Sequence, residues 1–105
     1  MIARVWRGAV RPGDGDAYAA YLNETGVREI RATPGNRGVL VLRRDTPEQT
    51  EFTFISMWES MDAIRRFAGD DVERAHYYQR DQEFLLALEP TVTHHDVSVS
   101  LPKGA

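Results

Sequence analysis

Four stretches of the chain are rich in β-branched and aromatic residues and are bounded by turn residues, a pattern that predicts β-strands. They cover residues 2–10, 39–42, 51–58 and roughly 92–100. The charged residues 43–49 are expected to form the loop between the second and third strands. The pattern therefore predicts a sheet of four strands.

A long stretch between the first two strands carries apolar residues three and four positions apart, which is the spacing of one helix face. This helix is expected to begin at Asp14 or Asp16, because aspartate is a common capping residue. It is expected to fray near Gly26 and to end before the turn at residues 33–36.

A second helix follows the third strand and has a clear start and a clear stop. Ser60 is a capping residue, and Gly69 follows the last apolar position. Beyond it, Asp70 and Asp71 predict the cap of a further helical turn that carries His76. We expect this turn to lean over the open end of the sheet.

The order strand, helix, strand, strand, helix, strand defines the fold class. It is an α+β fold, a ferredoxin-like sandwich with its helices on one face of an antiparallel sheet. Residues 1–100 are expected to form this single domain, and residues 101–105 a flexible tail. The amphipathic residues 79–88 do not distinguish a helix from a loop.

The third strand is apolar on both of its faces. Phe52, Phe54 and Trp58 share one face, and Ile55 and Met57 share the other. Two helices cover only one face of a four-stranded sheet, so the second apolar face needs another cover. A second copy of the same sheet is the simplest cover, which predicts a homodimer that associates through its sheet faces.

Composition and charge narrow the class of protein further. The chain has no cysteine, which excludes disulfides, thiolate metal sites and cysteine nucleophiles. Its net charge is −3, with both signs scattered and no basic stripe for phosphates. It also lacks a signal-peptide pattern and an apolar run long enough for a membrane span. We expect a cytoplasmic protein that binds neither nucleic acid nor membrane.

Several segments resemble the antibiotic biosynthesis monooxygenase superfamily. The most specific one is residues 54–64, where a strand ends in Trp and is followed by Ser and an amphipathic helix. The other similar segments are residues 2–4, 32–38, 67–69 and 72–78. The resemblance implies a dimeric α/β barrel of ferredoxin-like subunits, which agrees with the two apolar faces of the sheet.

The resemblance also implies an activity. It points to a monooxygenase that needs no cofactor and oxidises a small aromatic molecule, such as a phenol, a quinol or a polyketide-like compound, with O2. Two alternatives stay open: a non-catalytic dimeric protein that binds a small ligand, and a heme-binding protein of the same fold.

The heme-degrading branch of the superfamily fits the sequence less well. That branch has a Trp where this chain has Phe67, and an Asn near Trp6 or Arg7, where this chain has none. Its axial His aligns with Tyr77 or, after a slip of one residue, with His76. These departures disfavour heme degradation, while heme binding stays open because Tyr and His both ligate iron.

Oxygenation without a cofactor needs a base that deprotonates the substrate, and histidine is suited to that role. His76, beside two tyrosines, is the candidate base. His94 and His95 point to opposite faces of the last strand, and His94 is either solvated or lines a polar cavity. Their spacing does not suit a metal site, so no metal is expected.

Aromatic and basic residues complete the candidate site. Tyrosine hydroxyls can donate hydrogen bonds to a substrate oxygen, and a buried Arg needs an anionic partner. Arg4 or Arg7 is therefore an interior salt bridge, a rim residue or an anion-binding group. The candidate catalytic residues are His76, Tyr77 and Trp58, and the candidate substrate-binding residues are Trp6, Arg4, Tyr78, Phe67 and His94.

Overall fold

The four predicted strands and the two predicted main helices form in the predicted order. The structure, a computed structural model, describes residues 1–103. Its elements are β1 (Ile2–Val10), α1 (Gly15–Leu22), α2 (Arg28–Ala32), β2 (Asn36–Asp45), β3 (Thr50–Trp58), α3 (Met61–Ala68), α4 (Asp81–Phe84) and β4 (Thr93–Asp96).

The four strands form one antiparallel sheet in the order β2-β3-β1-β4. This order places β1 and β3 at the centre, paired from Ile2 opposite Trp58 to Val10 opposite Thr50. The helices that follow β1 and β3 pack on one face of the sheet, which we call the inner face. The ferredoxin-like α+β fold is therefore confirmed.

The two faces of β3 differ in burial, as its alternating pattern predicts. Phe52, Phe54 and Trp58 are buried on the inner face. Ile55 and Met57 lie on the opposite, outer face and are only half-buried. The inner face therefore carries the core, and the outer face remains partly apolar and uncovered by this chain's helices.

Local signals at the ends of α3 are confirmed. The Oγ of Ser60 accepts a hydrogen bond from the N–H of Ala63 at 3.1 Å, as an N-cap does. Gly69 follows the helix with a φ of 81°, a left-handed value that favours glycine. α3 buries Ala63 and Ile64 against the core.

The first helix differs from the prediction at Gly26. Instead of fraying, the backbone continues as a π-helical turn, Asn23–Val27, and joins α1 to α2. Thr25 supports this region because its Oγ1 donates to the carbonyl of Tyr21 at 2.7 Å. Asp14 precedes the helix, but its side chain makes no capping bond.

The prediction of a helical turn around residues 70–76 is wrong. Residues 70–80 contain neither a helix nor a strand, and an isolated bridge joins Arg74 to Thr91. The carbonyls of Val72 and Arg74 accept hydrogen bonds from the Arg4 side chain. These two carbonyls accept from the Arg4 side chain of β1 instead of from the N–H groups one helical turn further along the chain.

Other ends of strands and helices also differ from the predicted ones. Residues 43–45, expected in a loop, extend β2 because they pair with β3 through residue 50. The ambiguous segment contains only the four-residue helix α4. β4 ends at residue 96, well before the expected residue 100. Part of the expected tail, residues 104 and 105, lies outside the described residues.

No helix within residues 1–103 combines the length and the apolar character needed to cross a lipid bilayer.

Candidate active site

A cavity of about 60 Å³ lies between the inner face of the sheet, the α1–α2 region and the irregular residues that follow α3. We call residues 70–81 the covering segment. The residues that line the cavity are Arg4, Trp6, Tyr18, Leu22, Gly26, Ile30, Phe54, Ser56, Phe67, His76, Tyr77, Tyr78, Asp81 and Val92.

The sheet supplies one wall through adjacent strand positions. Arg4 and Trp6 on β1 pair with Ser56 and Phe54 on β3, and all four side chains point to the inner face. We call these four residues the sheet wall. Gly26 lies opposite: a Cβ there would sit 3.4 Å from the Phe54 ring, so glycine keeps this space open.

Arg4 is buried, with 5% of its surface exposed. Its Nη1 donates to the carbonyl of Val72, and its Nη2 donates to the carbonyl of Arg74 at 3.0 Å. The guanidinium also lies 5.8 Å from the centre of the Phe67 ring. Burial lowers the pKa of Arg4 to about 10, so the side chain stays charged at neutral pH.

His94 lies beside Arg4 rather than on the cavity wall. It is half-buried opposite Arg4 in the β1–β4 register, and its Nε2 lies 3.1 Å from Nη1 of Arg4. Burial, followed by the positive charge of Arg4, lowers the pKa of His94. A neutral imidazole then accepts a hydrogen bond from the guanidinium.

Tyr77 bridges the covering segment to the sheet. Its hydroxyl donates to the carbonyl of Glu89 at 2.5 Å and accepts from Nε1 of Trp6 at 3.1 Å. The Trp6 and Tyr77 rings meet edge to face, with centroids 6.3 Å apart. Burial raises the pKa of Tyr77, which keeps this hydroxyl protonated.

His76 packs between two aromatic rings. Its ring centroid is 5.1 Å from that of Phe67 and 5.0 Å from that of Tyr78, and 37% of its side chain is exposed. Its Nε2 lies 3.9 Å from Oε2 of Glu29 on α2. The same oxygen accepts a hydrogen bond from the Tyr78 hydroxyl. Burial and then this contact raise the pKa of Tyr78.

Asp81, at the start of α4, is the acidic residue of the cavity lining and is 4% exposed. Its Oδ1 accepts from the Tyr18 hydroxyl at 2.8 Å, and its Oδ2 accepts from the Tyr78 backbone N–H at 2.7 Å. Burial and then Asp81 raise the pKa of Tyr18. All three cavity tyrosines therefore stay protonated at neutral pH and donate hydrogen bonds. The lining side chains that can act as a base are His76 and Asp81.

The structure brings six of the eight sequence-predicted site residues to one cavity. They are Arg4, Trp6, Phe67, His76, Tyr77 and Tyr78. The open question about Arg4 and Arg7 is also answered: Arg4 is buried on the inner face, whereas Arg7 is exposed.

Trp58 lies behind the wall rather than on it. Its ring is fully buried, its Nε1 donates to Oγ of Ser56 at 2.8 Å, and it stacks on Phe67 with centroids 6.1 Å apart. Trp58 therefore supports Phe67 and does not line the cavity.

Asp81, Tyr18 and Glu29 were missed by the reasoning from sequence. Each is brought to the site by a partner far along the chain: Tyr18 and Asp81 are 63 positions apart, and Glu29 and Tyr78 are 49 apart. Local spacing carries no signal of such pairs. Within residues 1–103, no group of three or more acidic or histidine side chains is arranged to hold a metal ion.

The sheet order and the helices on one face define a ferredoxin-like α+β domain with an aromatic-lined cavity. The family model for antibiotic biosynthesis monooxygenase matches residues 1–77. The chain belongs to this family. No curated protein matches the sequence at a significant level.

Solved structures show the same fold at low identity. The heme-degrader MhuD from Mycobacterium tuberculosis, solved with two hemes in its active site, is 18% identical over 97% of this chain and 100% of its own, with a TM-score of 0.66. A candidate antibiotic biosynthesis monooxygenase from Bacillus cereus is 17% identical over 98% of both chains, with a TM-score of 0.67. A protein of unknown function from Nitrosomonas europaea is 15% identical over 98% of this chain and 95% of its own, with a TM-score of 0.64.

Proposed function

We propose that this protein is a monooxygenase that oxidises an aromatic phenol or quinol with O2 and needs no cofactor. The observation that carries the proposal is the position of His76, a histidine on the wall of an aromatic cavity and in contact with Phe67 and Tyr78. Family membership supports oxygen chemistry, and the site supplies the base that such chemistry needs.

The reaction balances without an external reductant. His76 accepts the phenol proton, and the electron-rich anion then reduces O2. One oxygen atom enters the ring, and the other leaves as water, so that a phenol and O2 give a quinone and water. The carboxylate of Glu29, 3.9 Å from Nε2 of His76, stabilises the imidazolium that forms.

The small cavity means that the covering segment moves when substrate binds. Ligand cavities are usually about 300 Å³ or larger, compared with about 60 Å³ here. The sheet wall is held by continuous strand pairing, whereas the covering segment is held by one isolated backbone bridge to residues 90–92 and by side-chain contacts such as those of Arg4 and Tyr77. The segment is therefore the wall that shifts outward.

Heme, which the relative MhuD binds, does not fit these residues. The Tyr77 hydroxyl donates to the carbonyl of Glu89 and accepts from Nε1 of Trp6, and burial raises its pKa, so it stays protonated and does not form the phenolate that ligates iron. His76 remains half-exposed beside Glu29. We therefore derive no catalytic step through heme, and a Soret shift on adding hemin that is lost in His76→Ala would contradict this view.

The proposal includes a homodimer that covers the outer face of the sheet. Leu40 and Leu42 on β2 are 53% and 50% exposed there, beside half-buried Ile55 and Met57. Burial of such a face against an identical face removes apolar surface from water. Light scattering should report a dimer that Leu42→Glu dissociates, and an 11.9 kDa wild-type particle contradicts the proposal.

Oxygen uptake with a panel of hydroquinones and anthrones tests the activity. We expect turnover by the wild type and a loss in kcat of about 100-fold or more in His76→Gln, since general-base catalysis contributes about 10²–10⁴-fold. His95→Gln, an exposed histidine outside the cavity, is the matched control and should keep full activity.

Absence of turnover across the panel, or an unchanged kcat in His76→Gln, contradicts the proposal. Ligand binding without oxygen uptake would instead favour a non-catalytic binding protein.

A further inference from the structure

Arg4 brings a positive charge to the cavity wall without a carboxylate to balance it. Its partners are two backbone carbonyls and the imidazole of His94, and no ion pair of Arg4 is found among residues 1–103. A charge removed from water is costly unless an opposite charge or a full set of hydrogen bonds compensates it. The site therefore favours an anion.

The guanidinium of Arg4 also has donors to spare. It carries five N–H groups, and its contacts with Val72, Arg74 and His94 use three of them. In the described part of the chain, every side-chain nitrogen or oxygen that is fully buried has a hydrogen-bond partner. The Nε–H of Arg4 has no partner there, so it is not fully buried, and Arg4 is one of the residues that line the cavity.

Asp81 offers an acceptor at a different position along the cavity. Its carboxylate accepts from Tyr18 and from the Tyr78 N–H, and an ionised carboxylate has about four lone-pair sites. Two sites are therefore left for a ligand hydroxyl.

The two polar groups lie at different levels of the sheet. Arg4 pairs with Ser56, whereas Tyr18, the partner of Asp81, packs on Phe52 at 5.3 Å between ring centroids. Those β3 positions are four residues apart, about 13 Å along a strand. Between these levels lie the aromatic rings of Trp6 and Phe54.

We infer that the substrate is an aromatic carboxylate with two ring hydroxyls: its carboxylate binds Arg4, one hydroxyl donates to Asp81, and the other is the one that His76 deprotonates. This inference rests on the proposed function, because it names the substrate class of the same cavity. The planar arginine fork suits a carboxylate, and a charge-assisted hydrogen bond is stronger than a neutral one. The aromatic middle of the cavity packs against the ring.

Calorimetric titration under anaerobic conditions tests the inference without turnover. The probe is 6-hydroxy-2-naphthoate, and its matched neutral control is 6-hydroxy-2-naphthamide. The wild type should bind the carboxylate at least tenfold more tightly than the amide. It should also bind 2-naphthoate, which lacks the hydroxyl, more weakly. Equal affinity for carboxylate and amide, or no binding of either, overturns the inference.

Variants then locate the charge that recognises the carboxylate. Arg4→Gln should abolish the preference for the carboxylate, and Arg4→Lys should keep part of it because the charge remains. Arg31→Gln removes the same charge from an exposed position on α2 and should keep the full preference. If Arg4→Gln does not fold, as judged by circular dichroism, Arg4→Lys and the wild-type probes decide; a full preference in either Arg4 variant overturns the inference.

The two proposals fail in different ways. Tight carboxylate binding with no oxygen uptake by any phenol contradicts the monooxygenase and leaves the anion site intact. Oxidation of neutral quinols as efficient as that of hydroxylated carboxylates, with no binding preference, contradicts the anion site alone.

Discussion

The two main walls of the cavity are built in opposite ways. The sheet wall belongs to paired strands, and its Phe54 and Ser56 are almost fully buried. The covering segment has no helix or strand over residues 70–80 and is held by one isolated backbone bridge to residues 90–92 and by side-chain hydrogen bonds. Local stability follows the number of buried contacts and shared backbone bonds. The comparison indicates that the sheet carries the stability, while the covering segment carries His76 and most of the polar chemistry.

The largest expected effect is on the sheet side. Trp58→Ala should lower the free energy of unfolding by about 3–5 kcal/mol, because it removes a large buried ring and leaves a cavity. Denaturant unfolding followed by circular dichroism measures it. A loss below about 1 kcal/mol would contradict the view that the sheet carries the stability, because replacing a fully buried aromatic ring with alanine ordinarily costs several kcal/mol.

A smaller effect is expected on the side of the covering segment. Tyr77→Phe removes the bond to the Glu89 carbonyl and leaves Nε1 of Trp6 without its acceptor. We expect a loss of about 1 kcal/mol in global stability, with faster amide exchange confined to residues 70–81. Thr46→Val, which removes a hydroxyl that hydrogen-bonds Gln49 between β2 and β3 and outside the covering segment, is the control. Exchange that rises equally across the sheet would contradict a separately fastened segment.

Gly26→Ala should separate binding from stability. The added Cβ would lie 3.4 Å from Phe54 and 3.9 Å from Tyr78, ordinary contacts that narrow the cavity. Alanine is favoured over glycine within helices by about 0.5–1 kcal/mol, so stability should stay equal or rise slightly. Affinity for 6-hydroxy-2-naphthoate, measured by calorimetry, should fall. Unchanged affinity would show that the probe does not reach this wall.

The smallest effect is a pH dependence at the edge of the sheet wall. The pKa of His94 is lowered in the folded state, so the unfolded chain binds more protons below its ordinary value of about 6.5. The contribution of His94 to stability is therefore complete above about pH 6.5 and is lost as pH falls below it. Thermal melts between pH 7.5 and 5.5 should show this decline.

The decline should be shallower in His94→Gln and unchanged in His95→Gln, an exposed histidine on the other face of β4. An identical decline in both variants would assign the pH dependence to other groups.

Much of the fold and part of the candidate site follow from local sequence patterns. Alternation along β3 indicates which side chains form the core, and Ser60 and Gly69 mark the ends of α3. The sequence also places His76 beside two tyrosines, which makes it the candidate base. These features are local because they depend on backbone periodicity and on capping by near neighbours.

The tertiary structure alone decided the remainder. Residues 70–76 look helical in sequence, yet Arg4, some 70 positions away, binds the carbonyls of Val72 and Arg74. Asp81 enters the site only because Tyr18 reaches it across 63 positions. A buried guanidinium and a buried carboxylate must find partners wherever the packed fold provides them, and no local spacing encodes which partners those are.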